Sequence, residues 1–203
     1  MKTLNWKEVG RFLSVVQNLY AVIHYAFSGA GVGLEIIEVD ENTIRVNLDA
    51  PPTLPFNGAM VKTNRKGGWV TLQKRADGLY QDGHKFSLYR SEYQKNGQVI
   101  GGYDLGNEVV NLPVVHPNIE DALLKYPHLI PEKWKKDENG NTIYIYFWAV
   151  TFSDRDGRVC VRCMCFDDDG WRRDCVRLDG SDFGGRGPAA VLTGNLSPSD
   201  LRT

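Results

Sequence analysis

The sequence predicts a single α+β domain. Apolar residues recur at helical spacing only near the N-terminus. Short alternating runs bounded by Asp-Gly turns fill the middle, and aromatic and β-branched runs dominate the last third. A chain of 203 residues can bury one full core, and no internal repeat or clean linker divides it. The expected organisation is an N-terminal helix within 1–30, a scaffold over 31–156 and a distinct region over 157–192 of the same domain.

The helix is expected over residues 5–25. Trp6, Val9, Leu13, Val16 and Ile23 repeat on one face, Asn5 and Glu8 can form a capping box, and Gly29 to Gly33 end the run. Alternating runs at 34–39 and 43–48 read as a hairpin around Asp40-Glu41-Asn42. Pro51, Pro52 and Pro55 make a stiff extended connector. Runs at 69–74 and 85–89 bracket the turns Asp77-Gly78 and Asp82-Gly83, which predicts more hairpin structure. Between 91 and 115, Gly97, Gly101, Gly102 and Gly106 are expected to break any long element. A short helix is expected from Asn118, with Glu120 and Asp121 in its first turn, to Tyr126, and another over 129–134 with Pro131 in its first turn. Strands follow at 142–152, 158–166 and 171–178, then a glycine-rich loop and the short apolar run 188–192.

Composition excludes several function classes. A net charge of −1 and a pI near 6.4 lack the basic excess of a nucleic-acid or membrane-surface binder. No apolar run approaches the roughly 20 residues a bilayer-spanning helix needs. The first residues carry no apolar signal segment, so an intracellular (cytoplasmic) or intraviral origin is expected, with the cysteines as thiols in a reducing compartment.

Between Cys160 and Gly187 the residue alphabet narrows. Of these 28 residues, 21 are Asp, Gly, Arg, Cys or Ser, and none is Lys, Glu, Asn, Gln, Thr, Ile or Ala. Packing would select Ile, Leu and Ala, and solubility would select Lys and Glu. The stretch contains all four cysteines of the chain. Cys160, Cys163, Cys165 and Cys175 offer thiolates for zinc, but only one pair has knuckle spacing, and on a strand Cys160 and Cys163 point to opposite faces. Thiols on a strand surface are the favoured account. Asp167, Asp168, Asp169, Asp174, Asp179 and Asp182 could bind calcium, yet no Glu follows Glu138 to close an EF-hand loop. Gly184-Gly185-Arg186-Gly187 lacks the Lys-Ser/Thr of a phosphate loop and reads as a flexible surface loop. His24, His84, His116 and His128 are dispersed, and no nucleophile motif is present. Neither a cofactor nor a catalytic residue is expected.

The codon table accounts for the narrowed alphabet. Replacing adenines in AAC codons for Asn yields Asp, Gly, Ser and Arg, and one replacement in TAC codons for Tyr yields Cys. Those products dominate the window, while Asn and Tyr are absent from it. Trp171, Phe166, Leu178 and Phe183 use codons that need no adenine at the first two positions and stand as apolar anchors.

The stretch 126–135, with Ile145-Tyr146-Phe147-Trp148, Val161-Arg162, Trp171, Leu178-Asp179 and Pro188-Ala189-Ala190-Val191-Leu192, resembles the variable proteins of diversity-generating retroelements. In those elements an error-prone reverse transcriptase misincorporates opposite template adenines and overwrites a C-terminal region of the target gene. The resemblance spans 56–192. It implies a C-type-lectin-like fold, a mixed and mostly antiparallel sheet with flanking helices, which the residues alone would not select. Relatives carry Tyr where this chain has its four cysteines and Trp where it has Arg173 and Arg177. The two arginines do not follow from Trp by adenine replacement, so they read as template-encoded. The Glu-Pro-Asn and Trp-Asn-Asp motifs of calcium-dependent sugar binding are missing.

The implied function is a diversified ligand-binding protein, not an enzyme, whose partner is a macromolecule, a protein in the first instance. The implied variable positions are Cys160, Cys163, Cys165, Asp167, Asp168, Asp169, Arg172, Asp174, Cys175, Val176, Gly180, Ser181, Gly184, Gly185, Arg186 and Gly187. Trp171, Leu178, Phe183 and Pro188 would frame the site. Such a surface, poor in Tyr and Trp, predicts modest affinity. A zinc-dependent interaction module and a small enzyme are the alternatives.

Overall fold

A computed structural model describes residues 34–65 and 67–194, so the helix expected over 5–25 lies outside the described residues. The described residues belong to one compact unit that begins at Leu34. They form a mixed α+β structure with a mostly antiparallel sheet and two α-helices. No helix among them is long and apolar enough to cross a membrane.

The hairpin expected first is present as β1 (Ile36–Asp40) and β2 (Thr43–Asn47). An edge strand, β3 (Met60–Asn64), follows the proline connector. Next come β4 (Trp69–Arg75), β5 (Gly78–Gln81) and β6 (His84–Tyr89), joined by the two Asp-Gly turns. After β7 (Val99–Gly101) comes helix α1 (Gly102–Val109), then helix α2 (Pro117–Lys125). The long strands β8 (Tyr144–Ser153), β9 (Val159–Asp167) and β10 (Gly170–Arg177) form an antiparallel meander. β11 (Asp182–Gly184) pairs with β7 apart from the main sheet, and β12 (Ala189–Thr193) closes the described chain. The large sheet runs β1-β2-β4-β5-β6-β12-β8-β9-β10, with β3 on the far half of β8. Among the described strands, only the β12–β8 pairing is parallel.

Alternation along the strands supplies two cores. Ile44, Leu72, Phe86, Ile145, Phe147, Met164 and Ala190 face one side and pack with Ile119, Ala122 and Leu123 of α2. Tyr146, Trp148, Val161, Cys163, Ala189 and Val191 face the other and pack with Leu105 and Val109 of α1. β10 is a sheet edge, so the β9–β10 hairpin hangs from the sheet by β9 alone.

One sequence expectation fails and another needs refinement. No long element forms between 91 and 115, but a short helix not expected from the sequence does: α1 has eight residues, begins at Gly102 with Gly101 as its N-cap, and contains Gly106. A Cβ on Gly102 would sit 2.7 Å from the backbone of Leu178, and one on Gly106 would sit 3.2 Å from the Trp148 ring. Missing side chains let α1 lie close against the sheet, and that packing outweighs the poor helix propensity of glycine. The helix expected over 129–134 is instead two 3-10 turns, Pro127–Leu129 and Glu132–Trp134. Pro131 holds Ile130 extended, at φ −70° and ψ 130°, and so divides them. Leu129 and Trp134 are buried regardless.

Candidate functional site

The depleted window maps onto β9, β10, β11 and the turns joining them. Their register decides which of its residues lie together. Cys165 pairs with Arg172, Cys163 with Asp174 and Val161 with Val176, while on the opposite side of β9 Tyr144 pairs with Cys165 and Tyr146 with Cys163. Directly paired residues project from the same side of a sheet. One face therefore carries two rows across three strands: Tyr144, Cys165 and Arg172, then Tyr146, Cys163 and Asp174. Asp167 continues the face at the hairpin end, where its carboxylate meets Arg172 Nε at 2.5 Å. The long side chains occupy the outer layer, with Arg172 about half exposed, while the short thiols lie beneath.

The thiols were expected on the strand surface, and this is corrected. Cys160, Cys163 and Cys165 are buried and Cys175 is half-buried. Strand β9 lies between β8 and β10 with cover on both faces, so alternation sends thiols into two interiors instead of into solvent. Burial pushes the Cys163 and Cys165 thiols up, away from thiolate character. Cys160 and Cys163 do face opposite sides, as alternation requires. Among the described residues no three His, Cys, Asp or Glu side chains converge as a metal-binding group.

The glycine-rich loop is likewise no flexible surface loop. Gly187 N–H donates to Gly184 O at 2.9 Å, closing a tight turn, and Arg186 O accepts from Tyr144 N–H at 2.8 Å. The buried Gln94 amide donates to Gly184 O at 3.0 Å and Gly187 O at 2.9 Å, and Arg90 Nε donates to Gly185 O at 2.6 Å. A Cβ on Gly185 would lie 2.8 Å from Gln94 O, and one on Gly187 would lie 2.8 Å from the Tyr146 ring. These two positions exclude larger side chains unless the loop moves. Gly187 is buried, whereas Arg186 projects outward. Phe183 anchors the same loop, with its ring centroid 4.9 Å from Tyr146 and 5.9 Å from Trp148. Leu178 and Pro188 are buried too, and Trp171 stacks edge-on against Phe166 at 5.4 Å.

Of the remaining positions, Asp168, Asp169, Gly180 and Arg186 are exposed, and Asp174, Val176, Ser181 and Gly184 are partly so. An open groove of about 1530 Å³ runs beside the face, lined by Tyr144, Tyr146, Val176, Phe183, Arg90 and Arg186 among others. Tyr144, Arg90 and Gln94 were not singled out from sequence. Only Tyr144 carried a signal, its period-2 spacing from Tyr146.

The back of the hairpin is built differently. Arg173 turns away from Arg172 and reaches α2, where its guanidinium pairs with Asp121 and lies 3.5 Å from Glu120. Fully buried Arg162, on β9, pairs with the same two acids and donates to Thr53 O at 2.7 Å. Desolvation outweighs the attraction of Arg162 and pushes the Glu120 carboxyl up to about 8. His116, the N-cap of α2, accepts from Asn118 N–H and is lowered to about 4 by burial. None of Arg162, Arg173, Glu120, Asp121 and His116 lines the groove, so the buried acids clamp the hairpin to α2 and meet no open space.

Comparison with protein-family models, with curated proteins and with solved structures finds no match.

Proposed function

We propose that the chain is a diversified ligand-binding protein, the target of retroelement-directed mutagenesis, on a C-type-lectin-like scaffold. The observation that carries this is a coincidence of two independent patterns. The stretch whose residue alphabet fits replacement of template adenines is also an edge hairpin with one face turned outward and the other clamped. A surface that must change without unfolding needs that division: variable side chains on one face of a frame held from the other.

The display surface then consists of Asp167, Asp168, Asp169, Arg172, Asp174, Val176, Ser181 and Arg186, bordered by Tyr144. Arg172 and Arg186 are its strongest anchors, since guanidinium groups make bidentate hydrogen bonds and stack. The partner is a protein. Cys160, Cys163, Cys165 and Gly187 support the surface from beneath in this variant.

Two measurements test the proposal. The neighbourhood of the gene is expected to contain a reverse transcriptase and a near-copy of the window that differs at template adenines; absence of both would overturn it. Variants carrying alternative residues at Arg172, Asp174 and Arg186 are expected to keep the unfolding midpoint and to change which proteins are captured from a display library. Capture that is indifferent to those positions would contradict the assignment of the surface.

A further inference from the structure

Cys160 and Cys175 sit on neighbouring strands with their side chains on the face turned toward α2. The register pairs Cys160 with Arg177 and Cys175 with Arg162, which makes the two cysteines diagonal neighbours. Cys175 packs against the cluster formed by Val150, Phe152 and Cys160. The closeness of the two thiols holds Cys160 below the ordinary thiol range, and that closeness together with burial pushes Cys175 up. Cys160 is buried and Cys175 is half-buried, so one member of the pair meets solvent and the other is shielded. Cys163 and Cys165 belong to the opposite face and take no part.

We propose that Cys160 and Cys175 form an oxidisable dithiol, which a low-molecular-weight disulfide converts into a disulfide bond across the β9–β10 hairpin. Cys175, the accessible member, passes its proton to the neighbouring Cys160 sulfur and attacks one sulfur of the small disulfide. The small molecule's S–S bond breaks and a mixed disulfide forms on Cys175; the departing small thiolate then takes that proton and leaves Cys160 as a thiolate. The Cys160 thiolate then attacks the Cys175 sulfur, expels the second small thiolate and closes the intramolecular bond. Two electrons pass from the protein thiols to the small disulfide, and the two thiol protons end on the two small thiols released.

Diagonal positions on adjacent strands lie about 7–8 Å apart at Cα, against about 5.5–6 Å for a disulfide, so closure draws the strands together. A bond closed under that tension is readily reduced again. Asp174 and Val176 flank Cys175 and project from the other face, so closure displaces the outward row. The site follows from strand register and packing and stands independently of the function proposed above.

The full-length folded protein is incubated with oxidised glutathione, acid-quenched, and alkylated in denaturant before mass spectrometry. Two of the four thiols are expected to escape alkylation, and dithiothreitol is expected to restore all four. Trypsin separates the cysteines, because Val-Cys-Val-Arg (159–162) and Asp-Cys-Val-Arg (174–177) are distinct peptides while Cys163 and Cys165 share peptide 163–172. The expected product joins 159–162 to 174–177. Four alkylated thiols, a linkage involving peptide 163–172, or glutathione retained on Cys175 without ring closure would each overturn the proposal. Cys175→Ser is expected to abolish the cross-link. The wild-type digest decides the matter by itself if that variant does not fold.

Discussion

Arg162 on β9 and Glu120 on α2 meet at 2.9 Å with both side chains wholly buried. They join the sheet to its covering helix at the point where the edge hairpin begins. Taking charged groups from water is costly; Asp121 and Thr53 accept further hydrogen bonds from Arg162 and Arg173 pairs with Asp121, while Glu120 Oε1 has no hydrogen-bond partner. Removing one partner strands the others. Arg162→Met is expected to destabilise the fold by about 3–5 kcal/mol, read as a lower urea midpoint.

The same network sets a pH dependence. Glu120 is raised to about 8 from an unfolded value near 4.5, so the folded state holds its proton longer and the associated stability is lost as pH rises toward 8. His116 is lowered to about 4 from 6.5, so its contribution is lost as pH falls through that range. The two slopes oppose each other between 4.5 and 6.5 and cancel there. Above 6.5 only Glu120 acts, and stability is expected to fall by about 1.4 kcal/mol per pH unit until about pH 8. Glu120→Gln is expected to flatten that slope in denaturant titrations across the range.

Adjacent arginines are expected to behave oppositely. Arg172→Ala removes an exposed side chain paired with Asp167 and is expected to leave the urea midpoint unchanged. Arg173→Ala leaves buried Asp121 and Glu120 short of a partner and is expected to cost about 2–3 kcal/mol. Equal urea midpoints for the two variants would refute the division of the hairpin into display and clamp faces.

Gly102→Ala places a methyl 2.7 Å from Leu178 backbone atoms, which cannot swing aside. The expected cost is about 1–3 kcal/mol despite the better helix propensity of alanine. Gly106→Ala meets the edge of the Trp148 ring at 3.2 Å and is expected to cost less. Thermal unfolding of the two variants checks the order.

Gln94→Ala removes three hydrogen bonds, to Gly184, Gly187 and Ser91, and leaves Gly187 O and Ser91 N–H without these partners while Gly184 O keeps the bond from Gly187 N–H. Loosening is expected first in the loop 184–187, seen as faster amide exchange there while β8 and β9 keep their protection.

The strands of the hairpins and of the β8–β9–β10 meander, the Asp-Gly turns and a short helix near 118–126 were legible in the sequence, because alternation and glycine turns act over a few residues, whereas β3, β7, β11 and the His116 cap of α2 were not. The narrowed window was legible too, since composition needs no structure to be seen. The helix through Gly102 and Gly106 was not legible: its stability comes from close contact with Leu178, Phe183 and Trp148, which are distant in the chain. Nor was the rigidity of Gly184–Gly187, which depends on Gln94 some 90 residues earlier.

The sequence by itself determined that the residue alphabet narrows between Cys160 and Gly187 and that Phe166, Trp171, Leu178 and Phe183 stand as large apolar residues within it. Only the tertiary structure decided which side of the β9–β10 hairpin meets solvent. Arg172 and Arg173 are the same residue type in neighbouring positions, and no local pattern separates them. Their fates diverge because pairing with β9 turns one outward and carries the other to acids on α2, 52 residues earlier in the chain.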